Sequence, residues 1–206
     1  MSAYDREDFE RRSIVSRETL AALDSVVETL DLWRSRSNLI GPREWDSLWS
    51  RHIWDSQQLR DLIPAEARIV DLGAGAGFPG LVLAASAEPP GHVTLIESIG
   101  KKCAFLRAAI SEAGLPASVH QGRVESAPDI AADAVTARAF APLPKLLDYA
   151  APWLMTGAVG YFHKGARWSE ELTAARETWE FSYDATASKS GGAGVILKLW
   201  EVRRAG

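Results

Sequence analysis

The sequence predicts an α/β chain with a mainly parallel sheet, helices on both of its faces, and a helical cap in front of it. Three observations carry that reading. Strand-like runs at 68–72, 93–97, 117–120, 133–137 and 158–163 alternate with helix-spaced stretches. A glycine-rich turn follows the first of these runs directly. The 206 residues are 47% apolar and 24% charged, which excludes wholesale disorder, collagen and coiled coil and suits one compact unit.

The cap is expected over residues 1–65 and the sheet domain over 66–206. In the cap, Leu20, Leu23, Val27 and Leu30 recur at helical spacing, with Ser16 as the N-cap of a helix over 17–34. Gly41-Pro42 breaks the chain, and a second helix is expected from Glu44 to Leu62, ending before Pro64. Arg68–Leu72 reads as a buried strand. Pro79 stands where a first helical residue would, with helix over Gly80–Ala87. A helix over Lys101–Ala113 ends at Gly114, and others are expected near 143–151 and 168–178. The last two strands, near 180–186 and 194–202, are joined by a link (Ser190-Gly191-Gly192) too short for a parallel crossover, so they should pair antiparallel.

The longest uncharged stretch, Leu72–Ala87, has 16 residues with four glycines and a proline, too short and too broken to span a bilayer, which takes about 20 apolar residues. The charged start MSAYDREDFERR does not read as a signal peptide, and the single Cys103 excludes an internal disulfide and a cysteine-based zinc site. A cytoplasmic, monomeric protein without membrane or metal partners is the expectation. The net charge of −4 argues against non-specific coating of nucleic acid, yet allows one basic face to dock on a structured RNA.

The segment Asp71-Leu72-Gly73-Ala74-Gly75-Ala76-Gly77-Phe78-Pro79-Gly80 is the most informative. Glycine lets the backbone take positive φ and approach a ligand closely, and the helix behind it offers free N–H groups. Glu97 ends the next strand, 20 residues after Gly77, where a carboxylate can accept both hydroxyl protons of a ribose. Turn and acid together signal an adenosine-containing cofactor. Gly75-x-Gly77-x-x-Gly80 formally matches a dinucleotide fingerprint, but that register would run the strand through Ala74. An Asp at the strand end followed by Gly-x-Gly-x-Gly suits S-adenosyl-L-methionine better, with Asp71 and the turn facing its amino-acid end.

The acceptor is narrowed by residue type. No Asn/Asp-Pro-Pro-aromatic run for an exocyclic amine follows the fourth strand, where the chain reads Thr136-Ala137-Arg138-Ala139-Phe140-Ala141-Pro142. Cys103 sits among helix core residues rather than beside the crevice. A ring nitrogen such as guanine N7 already carries a lone pair, so placement alone suffices and no general base is required.

The chain resembles the bacterial small-subunit ribosomal RNA guanine-N7 methyltransferases, once called glucose-inhibited division protein B. The resemblance runs over roughly 38–165 and rests on Asn38-Leu39-Ile40, Arg51-His52-Ile53-Trp54-Asp55-Ser56, the Asp71–Gly80 turn, Glu97–Leu106, Ala137–Pro142 and His163-Lys164-Gly165. It implies a Rossmann-like, S-adenosylmethionine-dependent methyltransferase fold, with a mainly parallel seven-stranded sheet whose last strand is antiparallel. It further implies a guanine in the decoding-region loop of 16S rRNA, free or in the small ribosomal subunit, as acceptor. Carried over by position, donor contacts fall on Gly73, Phe78, Val124, Glu125 and Arg138, joining Asp71, Gly75, Gly77 and Glu97.

His52, Asp55 and Ser56 fall at i, i+3 and i+4, so one helix face presents all three, either as a hydrogen-bonded junction or as acceptor contacts together with Arg138 and Lys164. Lys101, Lys102, Arg107, Lys164 and Arg167, with Lys145 nearby, are candidates for an RNA-phosphate rim. Arg34, Arg36, Arg43 and Arg51 interleave with Trp33, Trp45, Trp49 and Trp54, which at this spacing read as core before they read as base-stacking platforms. The other readings are a small-molecule methyltransferase, a non-enzymatic RNA or nucleotide-binding module, and an NAD oxidoreductase.

Overall fold

The structure, a computed structural model, describes residues 5–89, 91–127, 130–190 and 192–206; Gly191 of the predicted link and the side chain of Arg36 lie outside the described residues. Seven strands, β1 (Arg68–Leu72), β2 (His92–Glu97), β3 (Ala117–Gln121), β4 (Ala134–Arg138), β5 (Val159–Lys164), β6 (Trp179–Ala187) and β7 (Val195–Arg204), form one sheet in the order β3-β2-β1-β4-β5-β7-β6. The pairs β3-β2, β2-β1, β1-β4 and β4-β5 are parallel. β7 runs antiparallel to both β5 and β6.

Burial explains the pairing. β1 is buried at four of five positions and β4 at four of five, the near-continuous apolar run of a strand covered on both faces. β6 lies at the edge and is mostly exposed. From β1 the chain winds outward through β2 and β3, then returns to the other side of β1 as β4. The carboxyl ends of β1 and β4 therefore flank the switch point, where a crevice opens.

Two hydrophobic cores sit on opposite faces, because neighbouring strand residues point opposite ways: Ile69 belongs to one and Val70 and Leu72 to the other. The first is covered by α1 (Arg6–Arg12), α2 (Arg17–Ser37), α3 (Pro42–Trp45), α4 (Asp55–Gln57), α5 (Gly80–Ala85) and α6 (Gly100–Glu112). The second is covered by α7 (Leu143–Leu154) and α8 (Trp168–Ala175). Ser16 caps α2, its Oγ accepting from Thr19 N at 3.1 Å, and Asn38 closes it in the left-handed region at φ 45°.

Two expectations change, and one element was not foreseen. α1 was not legible: its one buried side chain, Phe9, stands alone among charges and has no periodic partner. The single helix expected over 44–62 is instead α3, a π-helical stretch (Trp49–Trp54), α4, and a 3₁₀ turn (Gln58–Asp61). Phe9 gives a reason. It packs against both Trp49 (5.4 Å between ring centroids) and Trp54 (6.2 Å). Residues five apart lie about 140° apart around an α-helix, and the wider π turn brings them toward one face. Finally, Pro79 is not the first helical residue; it precedes α5, and the Phe78–Pro79 bond is cis. No helix among the described residues is long and apolar enough to cross a membrane.

Candidate functional site

Two cavities open at the carboxyl ends of β1, β2 and β4, and they share Gly73, Lys102, Ala139 and Phe140. The smaller, of about 350 Å³, is walled by Glu97, Val124, Glu125 and Tyr149. The larger, of about 910 Å³, lies between the cap, the glycine turn and the β6–β7 loop.

The turn is shaped by positive φ at Gly73 (67°) and Gly75 (56°). At Gly73 a Cβ would also overlap the Phe140 ring, so bare backbone forms the wall between the cavities. Ala74 N donates to Ile96 O at 3.0 Å, locking the turn to β2. The Glu97 carboxylate spans turn and loop: Oε2 accepts from Gly75 N at 3.0 Å and Oε1 from Ile99 N at 2.8 Å. Each oxygen keeps acceptor capacity toward the smaller cavity, so the site fits a diol there. Ala139, a non-glycine at φ 53°, turns the chain between Arg138 and Phe140; left-handed backbone costs an L-residue about 1–2 kcal/mol.

Gly73, Glu97, Val124 and Glu125 thus converge on the smaller cavity, and Gly75, Phe78 and Arg138 on the larger. Asp71 and Gly77, expected as ligand contacts, line neither. Asp71 is 1% exposed beneath the turn, where Oδ2 accepts from Gly80 N at 3.1 Å and Oδ1 from Thr136 Oγ1 at 2.8 Å. Burial pushes its carboxyl up to about 7, against the downward pull of those two bonds. Those bonds make it a support of the turn. Gly77 is glycine for packing, since a Cβ there would overlap Leu81 and crowd Leu106.

On the larger cavity, Arg138 reaches from the end of β4 to the cap. Nη1 donates to Arg51 O at 2.8 Å and Nη2 lies 2.5 Å from His52 Nδ1, while the guanidinium stands 5.5 Å from the Phe78 ring centroid. His52 packs on Phe78 at 5.2 Å. Burial first, and the Arg138 charge second, hold its imidazole down to about 4. Asp55 Oδ1 accepts from Ser188 Oγ at 2.6 Å and Ser190 Oγ at 2.7 Å, tying the β6–β7 loop to the cap; Lys189 N adds a bond to Gln58 Oε1 at 2.7 Å. His163 donates from Nε2 to Asp55 O at 3.0 Å, and burial lowers its pKa. Ser56 does not join its predicted companions at the cavity: it is buried, and its Oγ donates to His52 O at 2.6 Å.

Lys164 is not part of an exposed cationic rim. Its ammonium donates to Ala141 O at 2.9 Å and pairs with Glu171 at 2.5 Å, with the side chain 7% exposed. Lys101, Arg107 and Arg167 are exposed but line neither cavity, and Arg107 donates to Gln121 Oε1 at 3.2 Å. Lys102 lines both cavities and Arg123, unremarked in the sequence, the smaller. Cys103 is buried, its thiol donating to Glu97 O at 3.1 Å. Trp33, Trp45, Trp49 and Trp54 pack against the first core, and Arg34 stacks 4.2 Å over Trp45. The sequence reading missed Phe140, Ser188 and Ser190; only Phe140, two residues past Arg138, had a local signal.

A family model described as rRNA small subunit methyltransferase G matches residues 19–194. Among curated relatives, the ribosomal RNA small subunit methyltransferase G of Hyphomonas neptunium is 66% identical over 200 residues, covering 97% of this chain and 96% of the relative. That of Rhodospirillum rubrum is 45% identical over 192 residues, covering 93% and 94%. Among solved structures, an O-methyltransferase from Bacillus cereus in complex with SAH aligns with a TM-score of 0.60 at 16% identity, covering 95% of this chain and 96% of that one. The O-methyltransferase TomG from Streptomyces achromogenes, in complex with SAM, aligns at 0.59 and 17% identity, covering 97% and 99%. At such identities these structures speak for the fold, while the family match and the relatives settle kinship: the chain belongs to the rRNA small subunit methyltransferase G family.

Proposed function

We propose that this chain methylates N7 of one guanine in 16S rRNA, with S-adenosyl-L-methionine as donor. When bound, the donor supplies an electrophilic methyl group on a sulfonium. Glu97 accepts from the ribose hydroxyls, Val124 and Glu125 border the adenine, and the Gly73–Gly75 backbone lets the donor lie close against β1. Arg138 and Phe78 border the larger cavity, on the acceptor side.

The observation that carries the acceptor assignment is the state of the polar groups around the larger cavity. Asp55 is occupied by two serines, Lys164 by Glu171, and His52 lies against a permanent cation. Among the described residues these groups hold and orient; none is poised to remove a proton. A ring nitrogen with its own lone pair needs only placement, and positioning can supply about 7–11 kcal/mol of barrier lowering. The open, 910 Å³ chamber suits a nucleotide still attached to RNA. Lys102 at the border of both cavities and Arg123 at the smaller one, with Lys101 on the helix of Lys102, give an acidic protein a local cationic approach to phosphate.

The test is transfer from methyl-labelled donor to purified small subunits and to naked 16S rRNA, followed by nucleoside digestion. The expected product is 7-methylguanosine at one site, lost in Gly73→Asp. Label on an exocyclic amine, or none on RNA, contradicts the proposal.

A further inference from the structure

We propose that His52 determines which purine the acceptor chamber takes, by donating its Nε2–H to a carbonyl oxygen beside the reacting ring nitrogen. This rests on the N7 reading above.

Arg138 Nη2 sits 2.5 Å from His52 Nδ1, and a guanidinium carries donors only. Nδ1 must therefore present its lone pair to Arg138. An imidazolium would set N–H against N–H, so the ring is neutral and its one proton is on Nε2. Burial and the Arg138 charge both favour that neutral form.

Nε2 makes no hydrogen bond to any described residue, and His52 lines the larger cavity with its ring packed on Phe78. The chamber is thus offered a neutral donor in a fixed place. The second histidine on this wall, His163, has the opposite arrangement: its Nε2–H is spent on Asp55 O, and its bare Nδ1 is buried. His52 is the imidazole that has a proton to offer.

A purine displays N7 beside the substituent on C6. In guanine that substituent is a carbonyl oxygen, an acceptor; in adenine it is an amino group, a donor. Nε2–H complements the first and opposes the second. Its neutrality also matters, because the base gains positive charge as N7 is alkylated. A cationic donor would oppose that charge, and a neutral one does not. His52 is assigned to recognition rather than to proton transfer.

The experiment uses small subunits assembled with 16S rRNA that carries guanosine, inosine or 2,6-diaminopurine riboside at the target position. Inosine keeps the 6-carbonyl, and diaminopurine replaces it with an amino group while leaving N7 in place. For the wild-type chain, guanosine and inosine are expected to be methylated with similar kcat/KM, and diaminopurine to lag by on the order of 100-fold. His52→Gln, whose amide can accept from Arg138 and still donate, is expected to keep that preference. His52→Leu is expected to bring the ratio to within about tenfold of unity, the loss of one hydrogen-bonded discrimination. Donor affinity measured by calorimetry establishes that each variant is folded, and the wild-type base series needs no variant at all. Equal methylation of guanosine and diaminopurine by the wild type, or an unchanged ratio in His52→Leu, overturns the proposal. Methyl on an atom other than N7 overturns the functional reading, and this assignment with it.

Discussion

The two cavities share Gly73 and Phe140 but are assembled differently. The smaller is made where strands β1 to β4 hand over to the segments that follow them: Gly73, Glu97, Val124 and Phe140 each sit within three residues of a strand end. Its shape follows from local backbone geometry. The larger is closed by segments far apart in the chain, with Asp55 held to Ser188 and Ser190 across 133 and 135 residues, and Arg138 to His52 across 86. A ligand site built from strand ends inherits the rigidity of the sheet. A site built from a cap and a hairpin loop depends on a few side-chain bonds, and can be damaged without disturbing its neighbour.

The largest expected effect breaks the smaller cavity. In Gly73→Ala the new Cβ meets the Phe140 ring and the backbone stays at positive φ. Strain of about 1–3 kcal/mol, at about 1.4 kcal/mol per tenfold, weakens donor binding by roughly 10–100-fold. Isothermal calorimetry with S-adenosylmethionine measures it.

Next is the larger cavity alone. Asp55→Ala removes the acceptor of two serine hydroxyls, bonds to a charged group worth about 1.5–3 kcal/mol each. Methylation of subunits should fall at least tenfold in kcat/KM while the donor dissociation constant stays within about twofold of wild type, since Asp55 lines only the acceptor side. Equal losses in both would mean that the cavities are not separable.

These two sites also differed in how far they could be read from the amino-acid order. The Asp71–Gly80 turn and Glu97 are local patterns, and the sheet was legible because buried parallel strands are short β-branched runs separated by helix-spaced stretches. Arg138 and Phe78 were found only through the family resemblance, and one partner of Arg138 is a backbone carbonyl, which no residue type signals. The loop carrying Ser188 and Ser190 read as a mere link, because its partner Asp55 lies on the far side of the sequence. Lys164 looked like a free cation because Glu171 sits seven residues on, across a turn, in α8. Asp71 and Gly77 were assigned to the ligand because the motif shows that the turn needs them, not which way they face.

Acid should weaken the cap's attachment. Between about 4 and its ordinary 6.5, His52 is protonated in the unfolded chain and neutral in the folded one. Its contribution is therefore complete above pH 6.5 and is lost as pH falls toward 4, by at most about 3 kcal/mol. Asp71 acts oppositely: its raised pKa makes it most favourable to folding below about 3.8 and progressively less so as pH rises to about 7. Urea titrations of wild type and His52→Gln across this range isolate the histidine; the Gln variant should show the shallower loss on acidification.

The smallest effect is a control away from both cavities. Asp133, held down to about 2 chiefly by its hydrogen bonds from Arg68, joins β1 to the approach to β4 at an exposed edge. Asp133→Asn should cost less than about 1 kcal/mol and leave donor affinity and methylation unchanged.

The claim on which the rest depends is that the two cavities are the donor and acceptor halves of one reaction site. A crystal structure with S-adenosylmethionine tests it most directly. The adenosine is expected in the smaller cavity, with its ribose on Glu97 and its adenine by Glu125, and the sulfonium methyl directed past Gly73 into the chamber bordered by Phe78, His52 and Arg138. Adenosine seated in the larger chamber against His52, or a methyl turned away from that chamber, would contradict it.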